Sequence, residues 1–267
     1  MTGEKRVLIE THDLRKSFTV GTGPVEVLKG INITIKTGEF VIIFGPSGCG
    51  KSTMLHTLLG LEPPTSGKIM VEGQDFYNMT DDERALFRRH KVGMIYQQAL
   101  WVGSFNVIDN ITFPLHLLDK DPEEIQKRAT AALEKVGLAQ WANYTPTELS
   151  SGQQQKISLA RSMMTDPLII VADEPTGNLD TVSGKELIET FTSLVGEGKT
   201  IIMVTHDLEY LKYATKIFHM VDGLVVEEYS PSEKSKFKDV GGKKEIAGNE
   251  MGESNVRDPD FLKKLKL

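Results

Sequence analysis

The chain carries one cysteine, Cys49, in 267 residues, so it can form no internal disulfide and nothing points to an oxidising compartment. Long apolar runs are missing too. Those at Phe40–Phe44, 168–172 and 200–204 fall far short of the roughly 20 residues a membrane-crossing helix needs. There is no excess of positive charge: 31 Lys and Arg stand against 37 Asp and Glu, a net charge of -6. That opposes the strongly basic footprint of a general nucleic-acid binder. The opening stretch, MTGEKRVLIETHD, has no apolar core of a secretory signal. These absences predict a soluble, cytoplasmic chain, long enough for one large α/β domain or two small ones.

What is present is alternation. The runs Phe40–Phe44, 168–172 and 200–204 are short, apolar and rich in β-branched residues, as strands covered on both faces of a parallel sheet are. Each leads into a helical stretch, over 51–59, 182–195 and 208–214. This predicts an α/β fold with a mostly parallel sheet and helices on its faces. Ahead of it, 8–17, 25–28 and 32–35 read as shorter strands between Gly-rich turns, an antiparallel β portion at one side. From about 107 to 161 the pattern is helical, with Pro122 opening one segment and Gly137 near its end. An inserted α-helical subdomain over about 97–161 is therefore expected to interrupt a core of about 1–96 and 162–230. Residues 231–267 turn polar and read as a disordered tail, or as a short basic helix at FLKKLKL that touches a membrane or partner.

Gly45, Pro46, Ser47, Gly48, Cys49, Gly50, Lys51, Ser52 and Thr53 fit the pattern G-x-x-x-x-G-K-[ST], after an apolar strand and opening a helix, the context that motif requires. Its glycines let successive backbone N–H groups curl round phosphate oxygens at a helix N-terminus. Lys51 is expected to reach the β- and γ-phosphates of ATP, and the Ser52 hydroxyl to ligate Mg²⁺. Cys49 reads as a small spacer, although its oxidation would obstruct the phosphates. The run 168–172 ends in Asp173 and Glu174. Asp173 is placed to hold Mg²⁺ through its water shell, and Glu174 to take a proton from the water attacking the γ-phosphate. Two solvated acids approaching a helix would read the same way in isolation.

Leu149-Ser150-Ser151-Gly152-Gln153 resembles the LSGGQ signature of ABC-type ATPases, on a P-loop NTPase (RecA-like) core. The resemblance spans roughly 7–227. It implies that Ser150, Gly152 and their neighbours Ser151 and Gln153 face the γ-phosphate of ATP held by a second copy of the chain. Ser151 replaces the first Gly of the signature, and Lys156 stands where the family usually has Arg. Ser150 and Gln153 also form a helix-capping pair by spacing alone. The same resemblance makes Gln97 the glutamine that senses Mg²⁺ and the attacking water, and Asp180 an aspartate crossing the dimer interface. It makes His206 a switch histidine at the γ-phosphate and Phe18 an adenine-stacking aromatic, although Phe18 also reads as core. Glu174-Pro-Thr-Gly-Asn-Leu-Asp and Phe105-Asn-Val-Ile-Asp-Asn-Ile are similar to the lipoprotein-releasing, macrolide-exporter and cell-division group. Gln153 leans towards the first two.

The resemblance implies an ATP-dependent homodimer on the inner face of the cell membrane, beneath permease subunits and without a nucleic-acid partner. The rivals are a soluble ABC ATPase uncoupled from transport, a cell-division ABC ATPase and an unrelated P-loop kinase. Trp101 and Phe105 read either as an exposed anchor for the permease or as residues folded onto the helical subdomain. The run Arg84, Arg88, Arg89, His90, Lys91 reads as a solvated helix face or as a patch for anionic lipid or nucleic acid, the second opposed by the acidic whole.

Overall fold

The computed structural model describes residues 5–21 and 23–229; the expected tail lies outside them. Strands β1 (Val7–Val20), β2 (Gly23–Ile31) and β3 (Thr34–Lys36) lead into β4 (Phe40–Phe44) and helix α1 (Lys51–Leu58). β5 (Ser66–Val71), β6 (Gln74–Asp75), α2 (Asp81–Lys91) and β7 (Val92–Ile95) follow, then helices α3 (Val107–His116), α4 (Pro122–Lys135) and α5 (Ser151–Met163). The chain continues through β8 (Ile169–Asp173), α6 (Thr181–Gly196), β9 (Thr200–Thr205), β10 (Lys216–Val221) and β11 (Leu224–Tyr229).

Two sheets result. The first is antiparallel, ordered β2-β1-β5-β6 with β3 also on β1. The second runs β11-β10-β4-β9-β8-β7 and is parallel from β10 to β7, with β11 antiparallel at its edge. Every residue of β4 and β9 is buried, and every residue of β8 except Asp173. The reason is two-sided packing. Phe40, Ile42 and Phe44 face a core shared with α3 to α6, while Val41 and Ile43 face a core shared with α1 and the antiparallel sheet. A strand whose alternate residues enter two apolar cores has no polar position left.

The helical layer follows from its caps. Asn106, Asp121 and Ser150 each accept backbone N–H bonds at the starts of α3, α4 and α5, and Pro122 occupies the first turn of α4. α3, α4 and α5 pack on one another, and α5 lies against β7. One element differs from expectation. Leu208–Tyr213 is a 3₁₀ segment rather than an α-helix, capped by Asp207 and only six residues long. Tyr210 and Leu211 are buried there and Ala214 returns to extended backbone, so the chain reaches β10 before a second α-turn can form. β5, β6, β10 and β11 were not legible as strands.

Helix α2 holds the basic run. Arg84 bonds Asp81 and the Met79 carbonyl, and Arg88 Nη1 donates to the Gly60 carbonyl at 3.0 Å. Arg84 is thus engaged at the start of its own helix and Arg88 ties α2 to the turn after α1, leaving Arg89, His90 and Lys91 exposed. Among the described residues, no helix is long and apolar enough to cross a membrane.

Candidate active site

The loop Gly45–Gly50 joins the buried strand β4 to α1. Gly48 and Gly50 have φ of +79° and +103°, values that side chains with a Cβ strain to adopt, and Gly50 is the residue from which α1 starts. Lys51 is buried, its Nζ donating to the carbonyls of Gly45 (2.8 Å) and Pro46 (3.0 Å). The ammonium is thus held across the mouth of the loop by groups that a phosphate oxygen could replace. Pro46, Ser47 and Gly48 are exposed, as is Ser52, and Thr53 is half-buried. Cys49 is buried beneath them, and burial pushes its thiol pKa up against the opposing pull of Lys51. That favours the unreactive thiol and fits a spacer.

The carboxyl end of β8 supplies the acids. Ser52 Oγ donates to Asp173 Oδ1 at 3.2 Å. Burial raises the Asp173 pKa, the Ser52 bond lowering it in part. Glu174 sits at φ +47°, in the left-handed region, with its N–H on the Val204 carbonyl at 2.9 Å. The turn there separates its side chain from that of Asp173, and such outliers concentrate where a side chain must be aimed. His206, just past β9, places Nδ1 2.9 Å from Glu174 Oε2. Lys51, Ser52, Asp173, Glu174 and His206 therefore gather at the carboxyl ends of β4, β8 and β9, the edge where open α/β sheets bind ligands.

Gln97 lies just beyond β7, its carbonyl accepting from Asn178 Nδ2 at 3.4 Å, and its amide would stand 2.9 Å from a Cβ at Gly177. Ser150 Oγ accepts from the Gln153 N–H (3.3 Å) and the Gln153 side chain accepts from the Ser150 N–H (2.9 Å), a capping box that opens α5. Ser151 is exposed and Gly152 buried, a Cβ at 152 meeting Ser183 Oγ at 2.7 Å. Asp180 caps α6, accepting from the N–H groups of Val182 and Ser183 and from Ser183 Oγ, and these bonds hold its carboxyl below the usual range. Among the described residues, no hydrogen bond joins Ser150–Gln153 to the loop around Lys51. Phe18 stands on β1 in the other sheet, half-buried, with Lys16 Nζ 4.8 Å from its ring centre.

Trp101 is where the expected permease anchor shifts. It is half-buried on the helical core, its Nε1 donates to Gln154 Oε1 at 3.0 Å, and Arg161 covers the ring at 4.8 Å. Exposed apolar residues near it in the chain are Leu100 and Val102, with Phe113 on α3 and Leu117 just past the end of α3. Gln155, Asn178 and Ser183 were not read as site residues; Gln155 and Asn178 gain meaning only from partners far along the chain, and Ser183 from its place against Gly152.

A phosphate-cradling loop between a buried parallel strand and a helix, with an acid pair at the same sheet edge on the next strand but one, defines a P-loop nucleotide hydrolase. The particular family follows from comparison. The ABC transporter family profile matches residues 28–177. An ABC transporter ATP-binding protein of Methanocaldococcus jannaschii is 44% identical over 82% of this chain and 98% of its own length. The lipoprotein-releasing system ATP-binding protein LolD of Acinetobacter baylyi is 39% identical over 83% of this chain and 98% of itself. The macrolide export ATP-binding/permease protein MacB of Chlorobium phaeobacteroides is 38% identical over 92% of this chain, which spans only 37% of that longer protein. A dimeric ATP-binding cassette solved in a post-hydrolysis state with ADP and Pi superposes with a TM-score of 0.78, at 35% identity over 84% of this chain and 98% of the other. The chain belongs to the ABC transporter family, and within it is an ATP-binding, ATP-hydrolysing subunit similar to the macrolide-exporter and lipoprotein-releasing group.

Proposed function

We propose that the chain binds ATP with Mg²⁺ in two composite sites of a head-to-tail homodimer and couples their closure to a membrane permease. The observation that carries this is the joined edge of the parallel sheet. Lys51 rests on exchangeable carbonyl partners, Ser52 touches Asp173, and Glu174 touches His206. In this reading Gly45–Thr53 cradles the phosphates, Lys51 contacts the β- and γ-phosphates, and Phe18 stacks on adenine. Ser52 and Asp173 suit Mg²⁺, since adjacent hydroxyl and carboxylate oxygens are the hard donors it takes. Among the described residues no group of three or more His, Cys, Asp or Glu could cage a metal, which fits a site completed by phosphate oxygens and water. Mg²⁺ there would neutralise charge on the phosphates.

Glu174 accepts the proton of the attacking water, His206 holds Glu174 and the γ-phosphate in register, and Gln97 orients the water. Ser150, Ser151, Gly152 and Gln153 close over the partner copy's ATP, with Asp180 at the same interface. We assign residues 1–230 to the cassette, with 97–161 as its helical subdomain, and 231–267 to a tail outside it. The exposed Leu100 and Val102 in the loop after residue 97, with Phe113 on α3 and Leu117 just past it, are the surface assigned to the permease, at the inner face of the membrane.

Glu174→Gln keeps the shape of the side chain and removes the base. ATP hydrolysis should fall by about 10²–10⁴-fold, while sedimentation with ATP and Mg²⁺ should show a dimer that ADP does not support. A parental rate, or a monomer under both conditions, would sink this reading. Leu100→Asp should leave the ATPase of the isolated subunit unchanged and abolish co-purification with a membrane protein; retained co-purification would remove that surface.

A further inference from the structure

Gln155 is buried, with 3% of its surface exposed, on the inner face of α5, two residues beyond the segment that resembles the signature. Its Nε2 donates to two main-chain carbonyls that lie far apart in sequence, Tyr96 at 2.8 Å and Pro175 at 2.9 Å. Both hydrogens of the amide are thereby used. Tyr96 is the residue before Gln97, and Pro175 the residue after Glu174. β7 and β8 are neighbouring parallel strands in register, Ile95 opposite Ala172, so the two carbonyls belong to loops leaving the same sheet edge side by side. Beyond that edge the Gln97 amide packs beside Gly177, and Asn178 reaches the Gln97 carbonyl at 3.4 Å, near the limit of a hydrogen bond.

We infer that Gln155 is a positioning residue for hydrolysis: it fixes the spacing between the Gln97 loop and the Glu174 loop and ties both to helix α5. The inference rests on the roles proposed above for Gln97 and Glu174. Three features favour it over simple packing. A buried side chain that only filled space would be apolar, whereas this one places both amide hydrogens on carbonyls that no strand ladder satisfies. The two loops it joins each carry one of the groups that must meet the attacking water. The helix it stands on is the one whose first turn is Ser150 to Gln153. Any displacement of that helix end is therefore transmitted, through one rigid amide, to both loops at once.

The test uses the full chain. Gln155→Met keeps the volume and removes the donors. Its kcat for ATP should fall roughly 10- to 100-fold, as expected when reacting groups are misplaced by about an ångström. Binding of trinitrophenyl-ATP and the KM should stay within about twofold of the parent, the signature of an interaction used in the transition state only. In a Gln97→Ala background, Gln155→Met should cost clearly less than in the parent, because one of the groups it positions is gone. A parental kcat, an equal fold-loss in both backgrounds, or a loss of nucleotide binding matching the loss of rate would overturn the proposal. Should Gln155→Met fail to fold, Gln155→Asn replaces it, keeping the amide but too short to reach both carbonyls, with the same outcomes; failure of both variants to bind nucleotide also overturns it. A parental rate in Glu174→Gln would defeat the reading on which this rests. An inactive Glu174→Gln with a fully active Gln155→Met would defeat this inference alone.

Discussion

The two sheets solve the same problem differently. In the parallel sheet, β10, β4, β9, β8 and β7 pair without a register shift, and the central strands hold themselves by main-chain bonds between apolar side chains. In the antiparallel sheet, β1 shifts register against β2, β3 and β5 alike, and side chains fill the gaps. Thr11 Oγ1 donates to the Ile31 carbonyl and accepts the Ile33 N–H, Asn32 accepts the Asp13 N–H, and Thr65 accepts the Ser17 N–H. The difference explains where the chemistry stands. Strands buried on both sides cannot carry a polar group along their length, so Lys51, Asp173, Glu174 and His206 emerge only where the strands end. The antiparallel sheet has an exposed face and can present a candidate ligand contact, Phe18, from the body of a strand.

The sharpest way to break this comparison is a cavity in the parallel sheet. Phe40 is buried against Phe191 at 6.1 Å between ring centres. Phe40→Ala should cost about 3–5 kcal/mol in denaturant unfolding, whereas Val20→Ala at the exposed end of β1 should stay within about 0.5 kcal/mol. Similar losses at both sites would dissolve the contrast. Next in size, Thr11→Val preserves shape but strands a buried N–H and a carbonyl. A loss of about 1–3 kcal/mol is expected, and a neutral result would mean that the register shifts need no side-chain support.

A smaller effect concerns the edge itself. Burial raises the Asp173 pKa, so the folded, nucleotide-free protein disfavours the ionised carboxyl. The unfolded chain then binds fewer protons through this group, and its contribution to stability falls as pH rises from the ordinary aspartate range through the raised value. Asp173→Asn should therefore raise the nucleotide-free Tm at neutral pH, lose that advantage when the pH is brought below the aspartate range, and lose ATP hydrolysis. A lower Tm at neutral pH would show that ionised Asp173 is stabilised in place.

Much of the parallel sheet was legible, because burial on both faces leaves a continuous apolar run that needs no knowledge of its partners. Phe40–Phe44 is observed as read, and 168–172 and 200–204 extend by a residue or shift by one. β10 and β11 escaped because their burial is broken, with His219 and the exposed Glu227 and Glu228 interrupting the pattern. The site was legible where its motif is local: the loop before α1 and the acids after β8 are defined by neighbours in sequence. The sequence left Trp101 open between an exposed anchor and a residue folded onto the helical subdomain, because the residues that hold it, Gln154 and Arg161, come more than fifty positions later.

By itself, then, the sequence determined the buried strands, the phosphate-cradling loop, the acid pair and the capping box at Ser150, each set by periodicity or by spacings within one turn of chain. The tertiary structure alone decided that His206 meets Glu174, that Gln97 lies beside Gly177 and Asn178, and that Gln155 spans Tyr96 and Pro175. Such contacts depend on strand order, register and rotamer, and a one-residue slip of β7 against β8 would displace the Tyr96 carbonyl from the Pro175 carbonyl that Gln155 must also reach.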